Sequence, residues 1–160
     1  MSQALIAGTF DPITLGHIDI IKRAANVFND VTAVIFNNSS KRTYFTAEQR
    51  FYMLKLACAD FPNVMCDMSD GLLAEYVISR NIDVIVKGVR DSSDFSVEYQ
   101  MYVINNGIDN RIETFFIPSK PEHIHVSSTV VREFLKYNVD IKDYVSESVK
   151  KYIEECDQNK

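Results

Sequence analysis

From end to end of the chain, short apolar runs alternate with longer stretches in which apolar residues recur every three or four positions. Ala4–Ala7 predicts a buried strand, and Ile18, Ile21, Ala25 and Phe28 mark the helix after it. Val31–Phe36 is a run of β-formers. Phe51, Leu54 and Cys58 stripe the next helix, with Thr46 as its N-cap. Val64–Cys66, Val84–Val86 and Thr114–Ile117 bring the predicted strands to five. Further helices are predicted over Leu72–Ile78, around Val97–Ile104, and over Val130–Leu135 and Val145–Cys156. Apolar strands each followed by an amphipathic helix imply right-handed crossovers and a parallel sheet covered on both faces. The expected fold is one doubly wound α/β domain over residues 1–160 with a five-stranded parallel sheet. Such sheets bind ligands beyond the carboxyl ends of their strands, so the chemistry should lie in the segments just after them.

Composition narrows the choice of ligand. At 160 residues, 46% apolar and 24% charged, the chain is long enough for one continuous core. It contains no apolar run near the roughly 20 residues that a membrane-spanning helix requires. Met1-Ser2-Gln3-Ala4 places no basic region ahead of an apolar one, so a cytoplasmic enzyme is expected. Cys58, Cys66 and Cys156 are odd in number and widely spaced, which suits a reducing compartment better than a disulfide framework. A net charge of −5 argues against a grip on DNA or RNA backbone. A small anion such as a nucleotide needs only a few local cations and stays open.

Four segments after strands carry the candidate chemistry. The first, Gly8-Thr9-Phe10-Asp11-Pro12-Ile13-Thr14-Leu15-Gly16-His17, opens a helix. Gly8 is expected to let the chain turn, Gly16 to let backbone approach a ligand, and the helix N-terminus to favour phosphate. His17 falls in the first turn, although a capped turn with a surface histidine would look the same. No Walker loop or Gly-x-Gly fingerprint occurs among the five glycines. The second segment, Asn37 to Thr46, carries Lys41 and Arg42 among polar residues, a weak signal on its own because such a pair is usually just solvated. The third, Lys87-Gly88-Val89-Arg90, sets two cations about a glycine, with Glu98 and Asn105 on the helix beyond. The fourth runs through His123, Ile124, His125 and Val126 to Ser127-Ser128-Thr129 at a helix start, a pattern shared by phosphate sites and ordinary caps. His123 and His125 could be read as a metal pair, but no third ligand accompanies them.

Thr14-Leu15-Gly16-His17 resembles the T/H-x-G-H signature of the nucleotidylyltransferase superfamily. The remaining segments are similar, in order and spacing, to phosphopantetheine adenylyltransferases. Ser40 through Thr46 matches that family's S-K-x-x-x-F-T stretch, Lys87 through Glu98 its R-G-L-R and D-F-x-x-E, and Val126–Thr129 its I-S-S-[ST] motif. Gly71-Leu72-Leu73 fits a pantetheine-lining segment. Departures are Ala7 for proline, Leu15 for asparagine, Lys87 for arginine and Val97 for an aromatic residue.

The resemblance implies a Rossmann-like domain that moves the adenylyl group of ATP onto phosphopantetheine, giving dephospho-coenzyme A and pyrophosphate. It implies His17 as the catalytic residue. Thr9, Lys41, Leu73, Lys87 and Asn105 would bind the acceptor. Thr9, Phe10, His17, Gly88, Val89, Arg90, Glu98 and the run His123, Ile124, His125, Val126, Ser127, Ser128, Thr129 would bind ATP. Magnesium would arrive with ATP, and the family assembles as a homohexamer. Another superfamily enzyme is the nearest rival, such as a nicotinate-mononucleotide adenylyltransferase or a cytidylyltransferase. Those typically carry histidine where Thr14 stands. A non-catalytic nucleotide sensor on the same fold is the rival of a different class.

Overall fold

The computed structural model describes residues 2–37 and 42–158. Its strands are β1 (Gln3–Gly8), β2 (Asp30–Phe36), β3 (Val64–Ser69), β4 (Val84–Val89) and β5 (Glu113–Pro118). They pair in parallel in the order β3-β2-β1-β4-β5. The helices are α1 (Leu15–Ala25), α2 (Ala47–Cys58), α3 (Leu73–Ser79), α4 (Ser92–Ile108), α5 (Ser128–Lys136) and α6 (Glu147–Gln158), with a 3-10 turn at Pro121–His123. The chain builds outward from β1 through β2 to β3, then restarts on the other side of β1 with β4. That reversal opens a crevice between the carboxyl ends of β1 and β4.

Strand residues alternate between the two faces, and two cores follow from this. Ala4, Ile6, Ala33, Ile35 and Val86 pack with Ile20, Ile21 and Ala24 of α1 and with Met53, Leu54 and Cys58 of α2. Val131 of α5 and Val149 and Ile153 of α6 complete that layer. Leu5, Val34 and Ile85 face the other way, against Ala74, Tyr76 and Val77 of α3.

Element identities agree with the periodicity, and the edges differ for local reasons. Helix α1 stops at Ala25, so Phe28 packs on the core from beyond its end. Thr46 caps α2 as expected: its hydroxyl accepts from the Gln49 N–H at 3.2 Å, and the Gln49 side chain accepts from the Thr46 N–H at 2.9 Å. Helix α4 starts at Ser92, earlier than the apolar stripe suggests, because the Asp91 carboxylate caps it by accepting from the N–H groups of Ser93 and Asp94. The apolar residues of α4 do not cover the sheet as an amphipathic pattern implies. Phe95, Val97, Val103, Ile104 and Ile108 are 44–60% exposed, and Asn105 is its one buried residue.

Candidate active site

The segment after β1 is shaped by Phe10, which adopts φ 46° in the left-handed region. The sharp turn expected of Gly8 is therefore made two residues later, and Gly8 serves another purpose. The Phe10 ring folds back over it, and a Cβ at Gly8 would lie 2.9 Å from the Phe10 Cζ. Gly88 is required in the same way, because its Cβ would meet Ile20 at 2.8 Å where β4 lies against α1. Gly16 has only ordinary contacts at its Cβ position and lines the cavity described next.

Two cavities open over the carboxyl ends of β1 and β4. The first, of about 390 Å³, is bounded by Phe10, His17, Lys87, Gly88, Arg90, Glu98, His123 and Val126–Thr129, together with Asp94, Val97 and Ser119. The second, of about 430 Å³, is bounded by Thr9, Phe10, Asp11, His17, Arg42, Thr43, Ser128 and Arg132. Phe10, His17 and Ser128 belong to both. His17 thus stands where a molecule in one cavity would meet a molecule in the other.

Its protonation follows from its contacts. Nδ1 of His17 accepts the Thr14 N–H at 3.1 Å and lies 3.0 Å from the Thr14 hydroxyl. A ring nitrogen that accepts carries no proton, so the neutral ring bears its proton on Nε2. Phe10 fixes the ring plane edge-on at 5.2 Å. Burial, and then the positive charge of Arg90, push the His17 pKa down to about 4, so the ring is neutral at physiological pH. It is a donor of one hydrogen bond without being a cation.

The cations after β4 are held by carboxylates of α4. Lys87 Nζ lies 3.1 Å from Glu98 Oε2, and Arg90 gives Nε at 2.7 Å and one Nη at 3.1 Å to Asp94. Lys87 and Glu98, assigned to opposite substrates by the resemblance, form one pair in the first cavity. Val89 lends its carbonyl to the Ser119 N–H at 2.8 Å, joining the third segment to the fourth.

At the start of α5 the three hydroxyls are engaged locally. Ser127 caps Val130, Ser128 donates to the Pro12 carbonyl at 2.7 Å, and Thr129 accepts from Arg132 at 3.2 Å. Ser128 and Thr129 line the first cavity and open α5, so their backbone N–H groups have no intrahelical partner, the arrangement that attracts phosphate oxygens.

Several expected residues lie elsewhere. Lys41 is outside the described residues. Leu73 begins α3 and packs at the edge of the second core, Asn105 is buried on α4, and neither bounds the two cavities described above. Val89 and Ile124 are also off both walls. So is His125, whose ring stands edge-on to Tyr144 at 5.9 Å. Among the described residues no group of three His, Cys, Asp or Glu side chains could hold a metal ion.

The sequence reading missed Asp11, Arg50, Asp94 and Arg132. The Asp11 carboxylate accepts from the N–H groups of Tyr44 and Phe45 at 2.8 and 2.9 Å, binding the second segment to the first. Arg50 is 1% exposed and was visible as a charge one helical turn before Leu54 on the apolar stripe. Arg90–Asp94 was visible as an i,i+4 pair.

Residues 5–134 match the family model described as cytidylyltransferase-like. The fold is similar to a solved structure from Vibrio parahaemolyticus that bears the name nicotinate-nucleotide adenylyltransferase, with a TM-score of 0.74 at 20% identity. That match covers 97% of this chain and 93% of the other.

Proposed function

We propose, since the chain belongs to the cytidylyltransferase-like family and has its nucleotidyltransferase-type fold, that it transfers the adenylyl group of ATP to phosphopantetheine. The observation that carries this reading is His17, a neutral Nε2–H donor shared by two adjoining cavities. In the proposed reaction MgATP occupies the first cavity and the acceptor phosphate the second. An oxygen of that phosphate attacks the α-phosphorus, the bond to the bridging oxygen breaks, and pyrophosphate departs. The nucleophile is already an anion near neutral pH, so no general base is needed. Alignment and cancellation of charge are what the site must supply.

Each group then has a task. His17 Nε2–H donates to a non-bridging α-phosphate oxygen, where charge builds. Arg90 and the free N–H groups at the start of α5 receive the departing phosphates. Thr9 and Arg42 face the acceptor phosphate, and Lys41 is assigned to it by the resemblance alone. Magnesium enters bound to the nucleotide phosphates and offsets their charge. Three free cysteines and the absence, among the described residues, of a helix long and apolar enough to cross a membrane fit a cytoplasmic setting.

Assembly as a homohexamer is part of the proposal. Phe95, Val97, Val103, Ile104 and Ile108 of α4 are all exposed, and Val97, Ile104 and Ile108 share one side of the helix, which suits a surface covered on assembly. The name borne by the Vibrio parahaemolyticus structure favours a second reading, nicotinate mononucleotide as acceptor. A substrate panel separates the two. ATP with phosphopantetheine should release pyrophosphate, with far less from CTP or from nicotinate mononucleotide as acceptor. The active protein should elute well above 18.3 kDa. Faster turnover with nicotinate mononucleotide would replace the acceptor, and full activity as a monomer would remove the hexamer alone.

A further inference from the structure

Among the described residues the largest fully enclosed side chain is charged. Arg50 on α2 is 1% exposed, and its guanidinium donates in three directions. Nε reaches the Phe45 carbonyl at 3.3 Å, one Nη the Thr9 carbonyl at 2.8 Å, and the other the Asn37 side-chain oxygen at 3.1 Å. All three acceptors are neutral oxygens. A buried charge is costly and is normally matched by a carboxylate in contact. Burial draws the Arg50 pKa down, and the Asp11 charge partly offsets that from a distance. Core packing alone would be served by another apolar residue beside Met53 and Leu54.

What the guanidinium holds explains the arrangement. Thr9 precedes Phe10, whose left-handed backbone an aromatic residue seldom adopts. Arg50 takes the carbonyl on one side of Phe10, and Arg132 takes that of Asp11 on the other, at 2.7 Å. The Thr9–Phe10 peptide is trans, so turning its carbonyl toward Arg50 sends the Phe10 N–H the opposite way. Thr9 and Phe10 line the second cavity, and Arg50, which holds the peptide between them, is not part of that wall. No acceptor among the described residues takes the Phe10 N–H.

We propose that Arg50 is a positioning residue: it pins the Thr9 carbonyl behind the loop and thereby aims the Phe10 N–H at the anion bound between the two cavities. The buried charge also polarises that peptide, strengthening its N–H as a donor. This rests on the transfer site proposed above, and the test keeps the two claims apart.

Phenylalanine-selective 15N labelling follows the Phe10 amide as MgATP is added, beside steady-state turnover with MgATP and phosphopantetheine. In the parent the Phe10 signal moves on binding. Arg50→Lys keeps the charge but cannot span three oxygens. It should lose most of that movement and about tenfold or more in kcat, with KM for ATP changed less than about threefold. Should the lysine variant fail to fold by circular dichroism, Arg50→Gln, which keeps two donors, takes its place with the same expectation. If the parent turns over no phosphopantetheine but the Phe10 response is present in it and lost in the variant, the acceptor assignment fails and the role of Arg50 stands. A Phe10 amide indifferent to MgATP in the parent overturns the proposal. So does a variant whose Phe10 response is intact, whatever its turnover, because Arg50 would then act on the fold alone.

Discussion

Replacing His17 by alanine is expected to lower kcat by about a hundredfold or more, as loss of one donor to a developing oxyanion does. The KM for ATP should move by no more than a few-fold, because Arg90, the start of α5 and the cavity walls all remain. The geometry sets this asymmetry. His17 lines both cavities, while Lys87 and Arg90 line the first alone. A variant with near-normal kcat and badly weakened ATP binding would reassign His17 to simple binding.

The same variant should show a second effect on stability. The folded-state pKa of about 4 lies below the 6.5 of an unfolded histidine, so the unfolded chain binds this proton first as pH falls. The parent therefore keeps the full contribution above about pH 6.5 and loses it between there and pH 4. The loss is roughly 1–3 kcal/mol, discounted because the ring reaches the open cavities. Urea titrations of parent and His17→Ala across that window should show the extra acid slope in the parent only. Parallel slopes would mean that His17 titrates normally.

Lys87→Ala is expected to cost about 2–4 kcal/mol in kcat/KM, the range for losing one charge-stabilising donor. Its pairing with Glu98 makes the effect more specific than loss of a cation. Without Lys87 the Glu98 carboxylate, whose Oε2 is buried, stands alone in the cavity assigned to ATP and repels its phosphates. Lys87→Ala with Glu98→Gln should therefore regain about 1 kcal/mol or more, a coupling that independent sites would not show. Lys87→Arg keeps the charge and should stay within about tenfold, or 1.4 kcal/mol, of the parent. An alanine variant indistinguishable from the parent would remove Lys87 from the site and leave Arg90 as the cation of that segment.

The parts of this molecule written as local pattern were legible in the sequence. Five strands and their order of appearance follow from apolar runs, and His17, Gly88, Arg90 and Ser127–Thr129 could be placed because strand ends and helix starts are short-range features. The scaffold beneath them was not legible, because its partners are backbone oxygens and N–H groups distant in sequence. Arg50 reaches Thr9 across 41 positions, Asp11 reaches Tyr44 across 33, and Arg132 reaches Asp11 across 121. Nothing in local spacing marks such bonds. The turn at Phe10 was misplaced on Gly8 for a related reason. A glycine before a turn signal suggests positive φ, and only the three-dimensional path shows that it is needed as space for a ring. Leu73 and Asn105 are assigned by the resemblance, and neither lines the two cavities at His17.

The central claim is that a phosphate oxygen of phosphopantetheine attacks the α-phosphorus of ATP. Its most direct test is mass spectrometry of the products after incubation with MgATP and phosphopantetheine labelled with 18O in its phosphate. The label should be retained entirely in dephospho-coenzyme A, including the new bridging oxygen, with unlabelled pyrophosphate formed in equal amount. Label in pyrophosphate or in free AMP, or no dephospho-coenzyme A at all, would contradict the account.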